Sequence, residues 1–150
     1  MKSSNSWAQR NVLITGINGF IGGNLARRLI ADGATVTGIE RNQNRQSMLY
    51  YEALDKHTQI VNGDLCDMAF LERVIAEGQF DTCFHLAAQV EVGVGLTSPY
   101  STFETNIRGT YTLLDAIRKV GSSIKAIVIA STDKAYGSYP TEAMPYEEDY

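Results

Sequence analysis

The sequence predicts an α/β fold, in which helices pack on both faces of a doubly wound parallel sheet. Two observations favour this class: short apolar runs rich in β-branched residues alternate with longer segments of helical periodicity, and glycines stand at most of the junctions. Such alternation favours parallel strands joined by right-handed crossovers. The 150 residues are enough for one domain with a hydrophobic core.

Five apolar runs are predicted to be the strands, because each is short, rich in branched residues and bounded by glycine or polar residues. They cover residues 11–15, 35–39, 59–61, 82–86 and 125–130. The first strand stops at Gly16, and the third is followed by Asn62, Gly63 and Asp64.

Three segments carry apolar residues at three- and four-residue spacing and are predicted to be helices. They cover residues 20–32, 67–78 and 99–120, with Asp67 as a helix N-cap and a glycine at or just after the end of each. The apolar residues of the longest helix are expected to lie in the core; they include Phe103, Ile107, Leu113, Leu114 and Ile117.

The remaining segments have weaker patterns. Residues 41–56 are polar with little helical periodicity and are expected on the surface, and residues 90–98 contain two glycines and are expected to form a loop. After Ser131 the alternation ends, and residues 137–150 are irregular and acidic. Because no closing element follows, we expect the chain to be the N-terminal part of a longer protein.

Composition limits the possible partners. The formal net charge is −4, which argues against a nucleic acid held by bulk electrostatics. No apolar run approaches the roughly 20 residues of a membrane span, and residues 1–10 lack the apolar core of a signal peptide. The two cysteines, Cys66 and Cys83, form no disulfide framework and suit a reducing compartment. We expect a cytoplasmic protein with no membrane partner and no metal site.

The clearest functional motif is the glycine-rich turn between the first strand and the first helix. An ordinary strand–helix turn can also contain glycine, but here three glycines recur at the spacing and position of a phosphate-binding turn. The first allows a tight turn, the second lets the backbone approach a pyrophosphate, and the third lets helix and strand pack closely. We expect this turn to bind a dinucleotide through Gly16, Asn18, Gly19, Phe20, Ile21 and Gly22.

An acidic residue at the end of the second strand favours NAD over NADP. Glu40 can accept hydrogen bonds from the adenosine ribose hydroxyls, and its charge would repel a 2′-phosphate. Arg41 follows directly and could accommodate that phosphate, although an arginine in a loop is more often a solvated cation. NADP therefore remains the less favoured alternative.

The turn at residues 15–22 resembles the fingerprint of the extended short-chain dehydrogenase/reductase superfamily, which includes nucleotide-sugar epimerases and dehydratases. Residues 63–65, 81–89, 99–114 and 131–137 resemble other segments of that superfamily in the same order. The resemblance implies a Rossmann fold with cofactor contacts at Asp64 and Leu65, at Leu86, Ala87 and Ala88, and at Asn106, which would support the active-site backbone.

Two other residues of these segments have plainer interpretations. His85, at the end of a strand predicted to be buried, is expected to be a packed core histidine rather than a ligand. Tyr136 is expected to pack and shape its loop rather than to act as the catalytic tyrosine.

The loop after the fifth strand carries Thr132, Asp133 and Lys134, which resemble the charged residues of nucleotide-sugar 4,6-dehydratases, those acting on CDP-glucose in particular. The resemblance implies oxidation at C4 of the sugar, loss of water across C5 and C6, and return of hydride to C6. Thr132 would bind the C4 oxygen, Asp133 would be the general acid, which requires a raised pKa, and Lys134 would occupy the base position. The alternative is a solvated ion pair without a catalytic role.

Two other functions remain open, a nucleotide-sugar 4-epimerase and a non-catalytic dinucleotide-binding module. The resemblance implies a Tyr-x-x-x-Lys pair and a substrate-binding part beyond residue 150, so the 150 residues alone are expected to bind NAD without turnover. It also implies that the longer protein is a homodimer formed through the helix at residues 99–120 and the helix that follows it, which is not among these 150 residues.

Overall fold

The computed structural model describes residues 6–137, which form a five-stranded, all-parallel sheet. The strands are β1 (Asn11–Thr15), β2 (Thr35–Glu40), β3 (Thr58–Asn62), β4 (Thr82–His85) and β5 (Ala126–Ile129). Their spatial order is β3-β2-β1-β4-β5, so the chain winds outward from β1 in one direction and then from β4 in the other. The five predicted strands and the doubly wound topology are confirmed.

Helices pack on both faces of the sheet, as the sequence predicts. They are α1 (Phe20–Ala31), α2 (Met48–Tyr51), α3 (Met68–Gly78), α4 (Val92–Thr97), α5 (Pro99–Phe103) and α6 (Gly109–Val120). Alternate residues of β1 divide the core: Val12 and Ile14 face the layer of α1 and α2, whereas Leu13 faces α3 and α6. In the part of the chain that the structure describes, none of these helices has the length and apolar character needed to cross a bilayer.

Local sequence rules account for several helix ends. Asp67 is the N-cap of α3, as predicted, because its carboxylate accepts a hydrogen bond of 3.0 Å from the backbone N–H of Phe70. Gly33 follows α1 with a φ of +85°, a left-handed conformation that glycine adopts without strain. These interactions fix where the crossovers begin and end.

Two segments differ from the sequence prediction. Residues 41–56 are not merely a surface segment, because they contain α2 and a 3₁₀ turn (Leu54–His57), and Leu49 of α2 is fully buried against α1. Residues 90–98, predicted to be a loop, contain α4. In both cases the apolar residues of a short helix are surrounded by polar residues or glycines, so the sequence pattern did not predict the helix.

The helix predicted at residues 99–120 is interrupted by one π-helical segment, Glu104–Arg108. Leu113 and Ile117 are buried as expected, but Phe103, Ile107 and Leu114 are exposed, so their placement in the core was wrong. The last three side chains of β5, from Ile127 to Ile129, are also exposed among the described residues. Helical periodicity marks an apolar face without showing what covers it.

Candidate functional site

A groove of about 280 Å³ lies at the carboxyl ends of the strands, beside the point where the strand order reverses between β1 and β4. Crevices at this position are where open parallel sheets bind ligands. The residues lining it are Gly16, Asn18, Gly19, Ile39, Glu40, Arg41, Asn42, Gly63, Asp64, Leu65, Cys66, Leu86, Ala87, Ala88 and Thr105. Ten of the fourteen cofactor residues predicted from the sequence are in this set.

The glycines of the turn are required by the space around them. Gly16 has a φ of +71°, and a Cβ there would lie 2.8 Å from the backbone of Ala87. A Cβ at Gly22 would overlap the carbonyl oxygen of Gly16 and lie 2.9 Å from the Cα of Ile17. The turn is therefore packed tightly against both the β4 loop and its own helix.

The helix that follows the turn begins without a side-chain cap. Its N-cap residue is Gly19, which has no side chain to accept a hydrogen bond from the first N–H groups. The first turn of α1 also holds no acidic residue. The first backbone N–H groups of a helix have no partner within the helix, and together they carry a partial positive charge. Phe20, Ile21 and Gly22 do not line the groove, so any contribution they make to a bound phosphate comes from these N–H groups.

Glu40 lies at the wall of the groove, where the sequence predicts the ribose-binding acid. Its side chain is almost fully buried, and its Oε1 accepts a hydrogen bond of 2.6 Å from the hydroxyl of Tyr50. Its Oε2 is enclosed and has no hydrogen-bond partner within the described part of the chain. Arg41 lines the same stretch of the groove. The two residues from which the sequence predicts a preference between NAD and NADP, Glu40 and Arg41, are therefore neighbours in the groove wall.

The far end of the groove is formed by the loop after β3. Asp64 accepts a hydrogen bond of 2.8 Å from the backbone N–H of Cys66, which holds the loop in a tight turn. Burial, assisted by the nearby Asp64 carboxylate, raises the pKa of the Cys66 thiol. Asp64 and Leu65 therefore lie where an adenine contact is expected, and Cys66 is a neutral thiol beside them.

The loop after β4 forms the opposite wall and is anchored by a buried chain of hydrogen bonds. The Nδ1 of His85 lies 2.7 Å from the hydroxyl of Thr15, and its Nε2 lies 2.8 Å from the hydroxyl of Thr110 on α6. Thr15 also accepts a bond from the N–H of Ala87. Burial lowers the pKa of His85, which favours the neutral ring. His85 is a packed core histidine, as the sequence predicts.

Asn106 supports the same loop instead of lining the groove. Its Oδ1 accepts a bond of 2.7 Å from the N–H of Gln89, and its Nδ2 donates a bond of 2.9 Å to the carbonyl of Gln89. The π-helical segment places Asn106 toward this backbone and Thr105 toward the groove. Asn106 thus has the backbone-supporting position that the resemblance implies. Its neighbour Thr105, and not Asn106 itself, lines the groove.

Thr132, Asp133 and Lys134 lie together in an exposed 3₁₀ turn and are not in the groove lining. The Nζ of Lys134 donates a bond of 2.8 Å to Oδ2 of Asp133, and the hydroxyl of Thr132 donates one of 3.1 Å to Oδ1. These two bonds, Lys134 first, lower the pKa of the Asp133 carboxyl. The raised pKa that a general acid requires is not present in this open arrangement. The side chain of Tyr136 is exposed.

Sequence reasoning missed Thr105, Cys66, Asn42 and Tyr50 among the residues at or beside the groove. Thr105 falls at the π-helical segment, which a regular helical period cannot predict. Asn42 accepts a bond of 2.9 Å from the side chain of Asn18, and this contact closes the groove between two loops distant in sequence. Within residues 6–137 no group of three metal-ligating side chains occurs.

The parallel sheet, its glycine turn and the uncapped helix at the switch point define a Rossmann-type protein of the extended short-chain dehydrogenase/reductase class. A family model described as GDP-mannose 4,6 dehydratase matches residues 13–150, so the chain belongs to that family, within the NAD-dependent epimerases and dehydratases.

Similar proteins bear out this assignment. The chain is 40% identical to GDP-mannose 4,6-dehydratase of Vibrio cholerae, with 83% of the chain and 36% of the relative covered. It is 33% identical to CDP-glucose 4,6-dehydratase of Salmonella typhimurium, covering 91% and 38%. A crystal structure of UDP-glucose-4-epimerase from Stenotrophomonas maltophila with bound NAD aligns with a TM-score of 0.77 at 27% identity, covering 87% and 39%. The chain thus spans about two fifths of the length of these proteins.

Proposed function

We propose that the chain is the NAD-binding part of a longer nucleotide-sugar 4,6-dehydratase. The observation that carries this proposal is the glycine turn leading into an uncapped helix N-terminus, beside a groove that Glu40 borders. The similar UDP-glucose-4-epimerase structure is described with bound NAD, which supports the same cofactor here. A bound nicotinamide would supply the hydride acceptor for a sugar hydroxyl and later the hydride donor.

The groove and the start of α1 together fit the successive parts of a dinucleotide. The N–H groups at the start of α1 suit the pyrophosphate, because no side chain caps them and no nearby carboxylate in that turn opposes an anion. Glu40 suits the adenosine ribose, since its Oε2 is a buried acceptor without a partner in residues 6–137. Asp64 and Leu65 suit the adenine, and Leu86, Ala87 and Ala88 suit the face of the cofactor opposite them.

The 4,6-dehydratase activity rests on the side chains after β5. An epimerase needs no acid at this position, whereas loss of water from C6 needs a proton donor for the departing hydroxyl. Asp133 is that donor in the proposal, with Thr132 binding the C4 oxygen and Lys134 in the base position. The present pairing of Asp133 with Lys134 lowers the pKa of Asp133, so substrate must separate the pair and exclude water before Asp133 can act as an acid.

The substrate is a nucleotide sugar, and CDP-glucose is the first candidate because of the Asp-Lys pair. The relatives act on sugars bearing different nucleotides, including GDP-mannose and CDP-glucose, and both are 4,6-dehydratases by name. The longer protein should therefore be assayed with CDP-glucose, GDP-mannose and UDP-glucose in parallel. A 4-keto-6-deoxy sugar as product supports the proposal, and an epimeric hexose supports the epimerase alternative.

Replacement of Asp133 tests the acid directly. Asp133→Asn in the longer protein should slow formation of the 4-keto-6-deoxy product by about 10²- to 10⁴-fold, the usual contribution of a general acid, while hydride transfer from C4 persists. Asp32→Asn removes another ion-paired carboxylate, at the end of α1, and should leave the rate unchanged. Water loss at the wild-type rate in Asp133→Asn would show that Asp133 is not the acid.

We also propose that the longer protein is a homodimer through the helical stretch that ends in α6. Large side chains spaced by three or four residues are exposed along it: Tyr100, Phe103, Ile107, Tyr111 and Leu114. An exposed apolar row of this length on a helix is typical of a protein–protein contact. The stretch is anchored to the domain from its other side by Leu113 and Ile117.

A further inference from the structure

The carboxylate of Glu40 separates the groove from a smaller polar pocket. Glu40 lines both, and Tyr50, Thr58 and Asn62 line only the smaller one. The Tyr50 hydroxyl reaches across this pocket to donate its 2.6 Å bond to Oε1. Burial first, and then the bond to Glu40, raise the pKa of Tyr50, so the hydroxyl keeps its proton and remains a donor at neutral pH.

Tyr50 is itself held in place by its short helix. Its neighbour Leu49 is fully buried, and Leu54 just after the helix is also buried in the same cluster. Met48 packs over α1 at Gly23, where a Cβ would lie 3.4 Å from the end of the Met48 side chain. The position of the hydroxyl is thus set by the core and does not depend on a flexible loop.

The backbone of Glu40 is equally fixed. It pairs in register with Asn62 of β3, and its carbonyl accepts a bond of 3.0 Å from the N–H of Gly63. With the backbone and one carboxylate oxygen both held, little freedom remains in the side chain. The second oxygen, Oε2, is enclosed and has no partner among residues 6–137, so it is the acceptor left for a ligand donor at the groove that Glu40 lines.

We propose that Tyr50 is a positioning residue for cofactor choice: it holds the charged carboxylate of Glu40 at the ribose position, so that a 2′-hydroxyl is bound and a 2′-phosphate is repelled. This inference rests on the proposed binding of NAD in the groove. A 2′-hydroxyl can donate a hydrogen bond to Oε2, whereas a 2′-phosphate brings negative charge against a carboxylate that cannot turn away. Arg41 lies at the same stretch of the groove, so a Glu40 free to move would leave an arginine facing the phosphate.

Removal of the Tyr50 hydroxyl should therefore change selectivity. In Tyr50→Phe, the dissociation constants of NAD and NADP, measured by calorimetry on the full 150-residue chain, should converge. We expect the ratio of the NADP constant to the NAD constant to fall at least about tenfold, the lower end of the effect of losing one hydrogen bond to a charged group. The matched control is Tyr51→Phe, because Tyr51 is adjacent on the same helix and its side chain is 86% exposed. Its ratio should stay at the wild-type value.

A double variant separates positioning from a general loss of stability. In a Glu40→Gln background the carboxylate charge is absent, so adding Tyr50→Phe should not change the ratio further. If Tyr50 had only a structural role, Tyr50→Phe alone would weaken the binding of NAD and of NADP equally and leave the ratio of their dissociation constants unchanged. An unchanged or increased ratio in Tyr50→Phe, with NAD still bound by the wild-type chain, would overturn this inference alone. Failure of the wild-type chain to bind either dinucleotide would instead overturn the proposed function.

Discussion

Adjacent glycines in α1 allow the role of the turn to be tested within one helix. Gly22 and Gly23 are both buried, but only at Gly22 would an added Cβ clash with the turn. A Cβ at Gly22 would overlap the Gly16 carbonyl oxygen and lie 2.9 Å from the Cα of Ile17, whereas the nearest atom at Gly23 is the flexible end of Met48 at 3.4 Å. Gly22→Ala should therefore strain the turn, and Gly23→Ala should fit.

The expected energies follow from this difference in space. Replacing a glycine inside a helix with alanine stabilises the helix by about 0.5–1 kcal/mol. At Gly22 the clash with the backbone adds an overpacking cost of about 1–3 kcal/mol. Because the propensity gain is common to both variants, the difference between their free energies of unfolding measures the clash alone. Gly23→Ala should be more stable than wild type, and Gly22→Ala should be less stable than Gly23→Ala by about 1–3 kcal/mol.

Urea unfolding of the two variants gives these free energies, and NAD titration gives the functional effect. Displacement of the turn in Gly22→Ala moves the N–H donors, so NAD affinity should fall about tenfold, equal to ~1.4 kcal/mol. Gly23→Ala should bind NAD as the wild type does. Equal stability and equal affinity of the two variants would refute the packing argument.

Three further outcomes are expected. As the pH falls below about 6.5, the free energy of unfolding should decrease, because the His85 side chain takes up a proton in the unfolded chain more readily than when buried in the fold. This pH dependence should be lost in His85→Gln and retained in His57→Gln, since His57 is exposed. An alkylating reagent should modify Cys66 and not Cys83, because Cys83 is buried and burial raises its pKa to about 12. Saturating NAD should slow the modification of Cys66, and an unchanged rate would show that Cys66 is not at the cofactor site. Ile107→Glu should convert a dimer of the longer protein to a monomer in sedimentation, and a persistent dimer would place the contact elsewhere.

The features that the sequence predicted well are those set by local rules. The strands, the glycine turn and the Asp67 cap each depend on a few neighbouring residues, so composition and spacing were sufficient to find them. Ten of the fourteen predicted cofactor residues line the groove for a similar reason: they stand at the ends of strands or in the turns that follow, and the carboxyl ends of the strands meet at one edge of the sheet.

The features that were missed depend on contacts between distant segments. Leu49 is buried because α2 folds back on α1, and Phe103 is exposed because no described element covers that side of its helix. The bond between Glu40 and Tyr50 likewise needs α2 to be in place before the two side chains can meet. Short-range periodicity carries no information on such partners.

The pKa of Asp133 is a separate case. The sequence placed an acid beside Lys134 but could not show that the two form a bond of 2.8 Å that lowers the pKa of the acid. Under the proposed dehydratase function, this bond is what must change, since the same carboxyl would have to retain its proton when the sugar is bound.

Calorimetric titration of NAD into the full 150-residue chain tests whether the glycine turn and Glu40 form a dinucleotide site. We expect saturable binding of one NAD per chain, tighter than binding of NADP, because the N–H groups of the α1 N-terminus suit the pyrophosphate and Glu40 suits an unmodified ribose. Absence of NAD binding by a chain that unfolds cooperatively, or tighter binding of NADP than of NAD, would contradict this expectation.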